Sequence, residues 1–481
     1  MGFADLARRL RGVVGEDGVF TERGDLIAFE YDAGFEEHAP DLVVLPRTTA
    51  EVQAVVRLAN EAGVPLVPRG AGTGLCSGAV PVQGGIVIAL TRMNRVLDVD
   101  VPNRRATVEP GVINLTLSEH TQPLGYFYAP DPSSQRISTI GGNVGTNAGG
   151  PHCLAYGITT NHVLGLEVVL PNGEVVQTGA HGPDAPGYDL TGLLVGSEGT
   201  LGIVTKITVR LTRNPEGVRT ALATFASIDD ASNAVSSIIA RGMVPAALEM
   251  IDRFFCKALE QAFHIGLPEN AGALLLTEID GPEAGLDEDM ETIAGLCRQH
   301  GAEDLRLAAS AEERAALWAA RKGAAGAIGR LSPNYYIQDG VVPRTKLPLA
   351  MRRVQEVSDW CGLPIANVFH AGDGNLHPTL LFDRRDANQV ERTLKAGDEI
   401  LKMCVELGGA ISGEHGIGLE KREQMLYAFT TQDLAAMAGL RARFDPRSLF
   451  NPGKVLPAGA QCGEITDLKQ QAVAASGEAW F

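Results

Sequence analysis

The chain has 481 residues, more than one hydrophobic core usually organises, so two or three domains are expected. With 45% apolar and 21% charged residues it reads as an ordinary soluble globular protein. A formal net charge of −17 without any run of Lys or Arg argues against nucleic acid and anionic membrane surfaces as partners.

The N-terminal MGFADLARRLRGVVGEDGVF carries Arg8, Arg9 and Arg11, then Glu16 and Asp17, with no long apolar run. An amphipathic surface helix is therefore expected, and neither a secretory signal nor a membrane span. Residues 41–46, DLVVLP, read as a short strand. Thr48 and Glu51 then form a capping box ahead of Val52, Val55, Val56 and Ala59 at helical spacing. Gly63 ends that helix and PLVP opens the next strand.

The first functional candidate follows at 68–78, PRGAGTGLCSG. Gly70, Gly72, Gly74 and Gly78 would let successive backbone N–H groups turn inward as an anion-binding nest, with the Thr73 and Ser77 hydroxyls as further donors. The spacing is neither a Walker loop nor GxGxxG, and a plain tight turn is the alternative. A second Gly-rich segment, STIGGNVGTNAGG at 138–150, carries Gly141, Gly142, Gly145, Gly149 and Gly150 with Asn143, Thr146 and Asn147. It is too polar and flexible for a core strand. A third, LLVGSEGTLGIVTKITVRL at 193–211, runs into a strand with Ile203, Thr205, Ile207, Val209 and Leu211 on one face. Three such loops, each beside a strand, imply one extended ligand; a nucleotide with two phosphates and a flat ring fits. The 56 glycines point the same way, as backbone pressed against ligand.

Between 217 and 308 the pattern gives strand (219–225), helix (229–241), strand (246–251), helix, strand (273–279), helix (283–300) and a short strand (304–307), an order that a split βαβ arrangement accommodates. A helical run follows at 310–331. Arg314, beside Glu312 and Glu313, reads as solvated; Arg321 follows mainly apolar residues, Ala and Trp, where its fork could hold a carboxylate, with simple solvation as the alternative.

Two further motifs, HAGDGNLH at 370–377 and SGEHGIG at 412–418, carry three of the ten histidines. Gly372 and Gly374 allow a strand to end in a loop that turns His370 and His377 toward one point. Glu414 would be a third metal ligand, leaving His415 for proton transfer. Histidines satisfied in a core or at a surface turn are the alternative. Nitrogen and carboxylate ligands suit zinc, with manganese and iron also compatible. The seven cysteines, at 76, 153, 256, 297, 361, 404 and 462, include no CxxC pair and read as reduced thiols without an iron–sulfur cluster.

The PRGAGTG loop, the DPSSQRISTIGGNVGTNAGG run, the GSEGTLGIVT strand and the closing FDPRSLFNPGK at 444–454 together resemble the FAD-binding domain of the vanillyl-alcohol-oxidase/PCMH flavoprotein superfamily. The two histidine motifs resemble those of the branch containing the glycolate oxidase flavoprotein subunit, D-lactate dehydrogenases and D-2-hydroxyglutarate dehydrogenase. The resemblance implies an α+β protein. A two-part PCMH-type FAD-binding domain would span 1–215, a ferredoxin-like cap over the flavin ring 216–410, and a helical C-terminal segment returning to the FAD domain 411–481. It implies FAD on Pro68, Arg69, Gly70, Gly72, Thr73, Gly74, Ser77, Pro130, Asp131, Ser138, Gly141, Gly142, Asn143, Gly145, Thr146, Glu198, Gly199, Gly202, Ile203 and Asn451. The family's Leu-Trp pattern followed by Arg, matched by Leu317, Trp318 and Arg321, implies that Arg321 holds the substrate carboxylate.

The chemistry so implied is oxidation of a 2-hydroxy acid. A divalent metal on His370, His377 and Glu414 would bind the hydroxyl, His415 would accept its proton, and the C2 hydride would pass to flavin N5. The lack of a second evident basic cluster near 330–345 leans toward D-lactate or glycolate, with D-2-hydroxyglutarate as the alternative. Electrons would leave to an iron–sulfur partner subunit, a quinone or a cytochrome, with slow use of oxygen. A homodimer, and a cytoplasmic location or one peripheral to the inner membrane through a partner, are further expectations. Rival readings are a zinc hydrolase and a flavin-binding subunit without turnover. Some members of the superfamily that the chain resembles attach FAD covalently through a His in the first Gly loop; His152 and Cys153, just beyond the second loop, are the alternative attachment point here. Leu75, Cys76 and Ser77 lie around the first turn, and no His occurs between His38 and His120. FAD is accordingly expected in the supernatant after acid precipitation; a flavin that stays with the precipitate would contradict this.

Overall fold

The computed structural model describes residues 2–179, 186–264, 266–268 and 271–458. It divides into two compact units: Met1–Ala148 with Ile158–Arg213 and Glu414–Phe481, and Gly149–Gly157 with Asn214–Gly413. Of the expected C-terminal segment, residues 459–481, including Cys462, lie outside the described residues.

In the first unit the helix Phe3–Val14 is amphipathic as its sequence demands. Its stripe of Leu6, Ala7, Leu10 and Val14 enters the same core as Val52, Val55, Val56 and Ala59 of the helix Thr49–Ala62, so it is a core helix on one side. Each of these valines, withdrawn from water, contributes on the order of 1.5–3 kcal/mol. Thr48 caps the second helix by accepting from the Glu51 amide at 3.2 Å. The Glu51 carboxylate turns to the Arg47 amide at 2.7 Å, one residue before the expected partner. Gly63, at φ 68, ends the helix in the left-handed region.

This helix connects two strands of a small sheet ordered Val19–Phe20, Leu42–Val44, Ile86–Ala89, Leu66–Arg69, whose last three members run parallel. A second sheet of five antiparallel strands is ordered Val96–Asp100, Arg105–Val108, Ile203–Arg210, Val163–Val169, Val175–Gly179. Ile203, Thr205, Ile207 and Val209 are buried in alternation along the strand Ile203–Arg210, as the sequence pattern predicts. The polar stretch that could not be a core strand is a helix, Ile140–Thr146. Thr139 begins it by accepting from the Gly142 amide, and Asn147 ends it at φ 54, a conformation that Asn tolerates.

The second unit contains the predicted run of elements in order: Gly217–Phe225, Ile228–Ala240, Ala247–Asp252, Arg253–Phe263, Ala273–Gly281, Leu286–Gln299 and Ala302–Leu307. Its strands lie in the order fourth, first, third, second, all antiparallel, which is the split βαβ arrangement. The sheet continues past it. Ile365–His370 pairs with Ala247–Asp252, followed by Asn375–Leu376 and Gly340–Val341. The helix Ala311–Lys322 sends Leu317 and Trp318 into a core shared with Phe255, Leu259, Leu274 and Val368.

One side chain ties distant segments of the first unit. Asn451 is buried, and its amide donates to the carbonyls of Gly78, at 2.9 Å, and Glu198, at 2.7 Å. Lys454 beside it donates to the Val80 carbonyl, and burial pushes its ammonium down to about 8. Asn451→Ala would leave two buried carbonyls without this donor and place Ala at φ 40. The expected loss is about 2–4 kcal/mol, read as a lowered urea midpoint; an unchanged midpoint would refute the tie.

Candidate active site

The three Gly-rich loops converge in the first unit. Loop one leaves the strand Leu66–Arg69, and at Gly70 it presses so closely on loop two that a Cβ would overlap Thr139 Oγ1. Loop three hangs from loop two by bonds from the Gly196 and Glu198 amides to the carbonyls of Val144 and Gly145, both 2.9 Å. Gly199, at φ 71, has its missing side chain replaced by the ring of Pro68.

These glycines fall into two groups. At Gly70, Gly72, Gly141, Gly199 and Gly202 a Cβ would overlap other protein atoms, for Gly72 the Arg69 guanidinium, so packing within the protein explains them; the inference from composition to ligand does not extend to these five. At Gly74 a Cβ would make only an ordinary contact and at Gly145 its direction is open, whereas at Gly142 it would crowd the Thr139 hydroxyl. The nearest atom is Asp32 Oδ2 at 3.7 Å for Gly74 and Thr139 Oγ1 at 3.2 Å for Gly142, and nothing lies within 4 Å for Gly145. Backbone laid bare at Gly74 and Gly145 fits the flat ring and phosphates of FAD.

Other expected FAD residues have partners inside the protein. Asn143 Oδ1 accepts from Asn114, Ser77 Oγ donates to Glu420, and the Arg69 guanidinium lies over the Phe29 ring at 5.7 Å. Pro130 offers its carbonyl to Asn114. Asp131 and Ser138 are buried, as is Ile203, whereas Thr73 and Thr146 are partly buried. The Glu198 carboxylate accepts from the amides of Ile417, at 2.7 Å, and Gly418, at 2.9 Å. Burial pushes this carboxyl up, and those two amides oppose the shift. Cys76 accepts Leu419 N on its carbonyl at 2.8 Å and turns its Sγ to the Gly416 carbonyl at 3.3 Å. The residues that follow His415 are thereby pinned to loops one and three. His415 Nε2 itself lies 4.0 Å from Glu414 Oε1.

The second unit holds the two other histidines. The strand Ile365–His370 ends at His370, a glycine-bearing turn follows, and His377 comes directly after Asn375–Leu376. The rings meet edge to face, centroids 5.0 Å apart. His370 Nδ1 lies 2.7 Å from Glu249 Oε1, while Arg321 donates Nε to Glu249 Oε2 at 2.7 Å. His377 Nε2 lies 3.8 Å from Asp339 Oδ1, and Asp339 is held by Ser412 Oγ and the Gly413 amide. Of the three expected metal ligands, this unit brings His370 and His377 together; Glu414 belongs to the first unit.

A second buried carboxylate, Glu278, takes the guanidinium of Arg314, a side chain that is 41% exposed and so only in part solvated as its sequence neighbours suggest. Arg314 donates to it twice, at 2.7 and 2.6 Å, and Thr220 Oγ1 and Trp318 Nε1 each donate at 2.6 Å. His152 Nε2 lies 3.3 Å from it, with its ring 5.0 Å from that of Trp318. Burial alone would raise Glu278, but His152 and Arg314 hold it down at about 2. The sequence reading missed Glu249, Glu278 and Asp339. The signal was present: each is an acid inside a strand-like run, LEMI, LTEI and IQDG.

Residues 40–179 match the FAD binding domain, and residues 214–455 match the C-terminal domain of FAD linked oxidases. The chain is 45% identical to glycolate oxidase subunit GlcD of Escherichia coli (strain K12), over 89% of this chain and 85% of that protein. It is 42% identical to glycolate oxidase subunit GlcD of Bacillus subtilis (strain 168), over 95% and 98%. Identity to D-lactate dehydrogenase of Anaerostipes hadrus is 33%, over 86% and 89%. Among solved structures, p-cresol methylhydroxylase shares the fold with a TM-score of 0.80 at 18% identity, covering 94% of this chain and 96% of that one. The 4-ethylphenol oxidase of Gulosibacter chungangensis does so at 0.77 and 21%, covering 95% and 98%. The zinc hydrolase alternative falls with these matches. The chain belongs to the FAD-linked oxidase family of the vanillyl-alcohol-oxidase/PCMH superfamily and is an FAD-linked oxidoreductase.

Proposed function

We infer that the chain oxidises a small 2-hydroxy acid, D-lactate or glycolate, to the 2-oxo acid. The observation that carries this reading is the cluster of Arg321, Glu249, His370 and His377 in the second unit, which offers a cation for a carboxylate beside imidazoles for a metal. Relatives named for glycolate and for D-lactate support the substrate class.

FAD, when bound, supplies the acceptor for the C2 hydride. Gly74 and Gly145 would lie against it, on loops fixed by Asn451 and Glu198. His370 and His377 would hold a divalent cation, zinc before manganese or iron, with Glu414 as third ligand and a position left for the hydroxyl. His370 suits this task because Glu249 occupies its Nδ1 and leaves Nε2 as the ligating atom. His415, the neighbour of Glu414, accepts the hydroxyl proton, a role imidazole fills near neutral pH. Arg321 meets the acid's carboxylate through charge-assisted hydrogen bonds. Electrons then pass to an iron–sulfur subunit, quinone or cytochrome. No helix among the described residues is long and apolar enough to cross a membrane.

The test is an anaerobic visible spectrum on adding D-lactate, L-lactate, glycolate and D-2-hydroxyglutarate in turn. Bleaching of the flavin band by D-lactate or glycolate is expected, lost on chelation and restored by zinc or manganese; a yellow protein that none of them bleaches would overturn the reading. His415→Ala should keep its flavin but slow that bleaching about 10²–10⁴-fold, and an unchanged rate would remove His415 from the proton step.

A further inference from the structure

Glu249 is fully buried, and both of its oxygens are engaged. His370 Nδ1 meets Oε1 at 2.7 Å; Arg321 meets Oε2 with Nε at 2.7 Å and Nη2 at 2.5 Å. A guanidinium only donates, so the carboxylate facing it is an acceptor, and the His370 nitrogen on its other oxygen must carry the ring proton. The Nε2 lone pair then lies on the opposite edge of the ring.

The backbone enforces this arrangement. Glu249 and His370 are directly opposite each other on the antiparallel strands Ala247–Asp252 and Ile365–His370, so their side chains rise from the same face of the sheet. Arg321 comes from a third element, the helix Ala311–Lys322, and is itself 4% exposed. A buried ion pair of this kind contributes little net stability, since the desolvation of its members offsets their attraction. Its value lies in orientation.

We propose that Glu249 is a positioning residue for the substrate site: it fixes the tautomer and heading of His370 and the heading of Arg321 at once, so that one carboxylate sets the place of a metal ligand and of the cation for the substrate's acid group. The inference rests on the metal reading given above. Its consequence is that metal affinity depends on a residue that touches neither metal nor substrate.

Glu249→Gln keeps the shape and reverses the logic. If the amide oxygen faces Arg321, the NH₂ faces His370, which must then offer the Nδ1 lone pair and move its proton to Nε2, the ligating atom. Glu249→Asp keeps the charge and withdraws it by one methylene. The experiment uses the FAD-loaded full chain stripped with chelator, into which zinc alone, and separately manganese alone, is titrated against a chromophoric competitor. Flavin content serves as the fold control.

Zinc binding roughly 10–100-fold weaker is expected in Glu249→Gln, with Glu249→Asp between it and the parent. Anaerobic flavin reduction by D-lactate or glycolate, whichever the parent uses, should recover when free zinc is raised by a similar factor, which a merely structural defect would not allow. Should Glu249→Gln fail to fold, Glu249→Asp decides alone, with a loss of more than threefold expected. Variants that match the parent within twofold would overturn the role of Glu249 and leave the metal reading standing. A parent protein that takes up neither metal would overturn that reading, and this inference with it.

Discussion

Glu198 is the residue on which the geometry of the first unit's loops depends. It stands in the left-handed region at φ 52, and its amide, carbonyl and carboxylate each reach a different segment: Gly145 of the second loop, Asn451 near the C-terminus, and Ile417 with Gly418 after His415. A carboxylate sealed from water is costly unless amides satisfy it, and here they come from the loop that has to be placed. The desolvation of Glu198 is therefore converted into the position of that loop. Lys454, buried nearby, adds a charge of the opposite sign without touching it.

The two units solve the same problem with different means. In the first, backbone does much of the positioning: glycines permit close approach, and amide-to-carbonyl bonds run between loops, with the side chains of Glu198 and Asn451 as the ties to the C-terminal segment. In the second, side chains do it, through Glu249 between His370 and Arg321 and through Glu278 among Thr220, Arg314, Trp318 and His152. Backbone loops suit a cofactor recognised along its length. Side-chain constellations suit a reacting centre, where the identity of each atom matters.

Much of this was legible in the residues because it is local. A helix start at Thr48, its end at Gly63, the alternation from Ile203 to Val209, and a histidine on either side of a glycine turn are patterns within a dozen residues. The illegible part is the partnership of distant residues. Arg314 has two glutamates beside it in sequence, yet it folds onto Glu278, and nothing in the sequence ranks those three acids. Glu249 lies 121 residues from His370, and only strand pairing makes them neighbours. The glycine count misled in one respect, since loop-on-loop packing and ligand contact place the same residue in a sequence.

The pairing of Ala247–Asp252 with Ile365–His370 also bears on which of several competing sheets the chain can form. Side chains alternate between faces, so a slip of one position would set Phe369 or Ala371 opposite Glu249 and swing His370 to the other side. The glutamate and Arg321 would then be buried without the imidazole that completes their hydrogen bonding, a penalty on the order of several kcal/mol. Along most of this strand the residues are apolar and would tolerate the shift about equally well. The charged pair makes the mispaired sheet expensive, so a molecule that has folded at all has its histidine on the correct face.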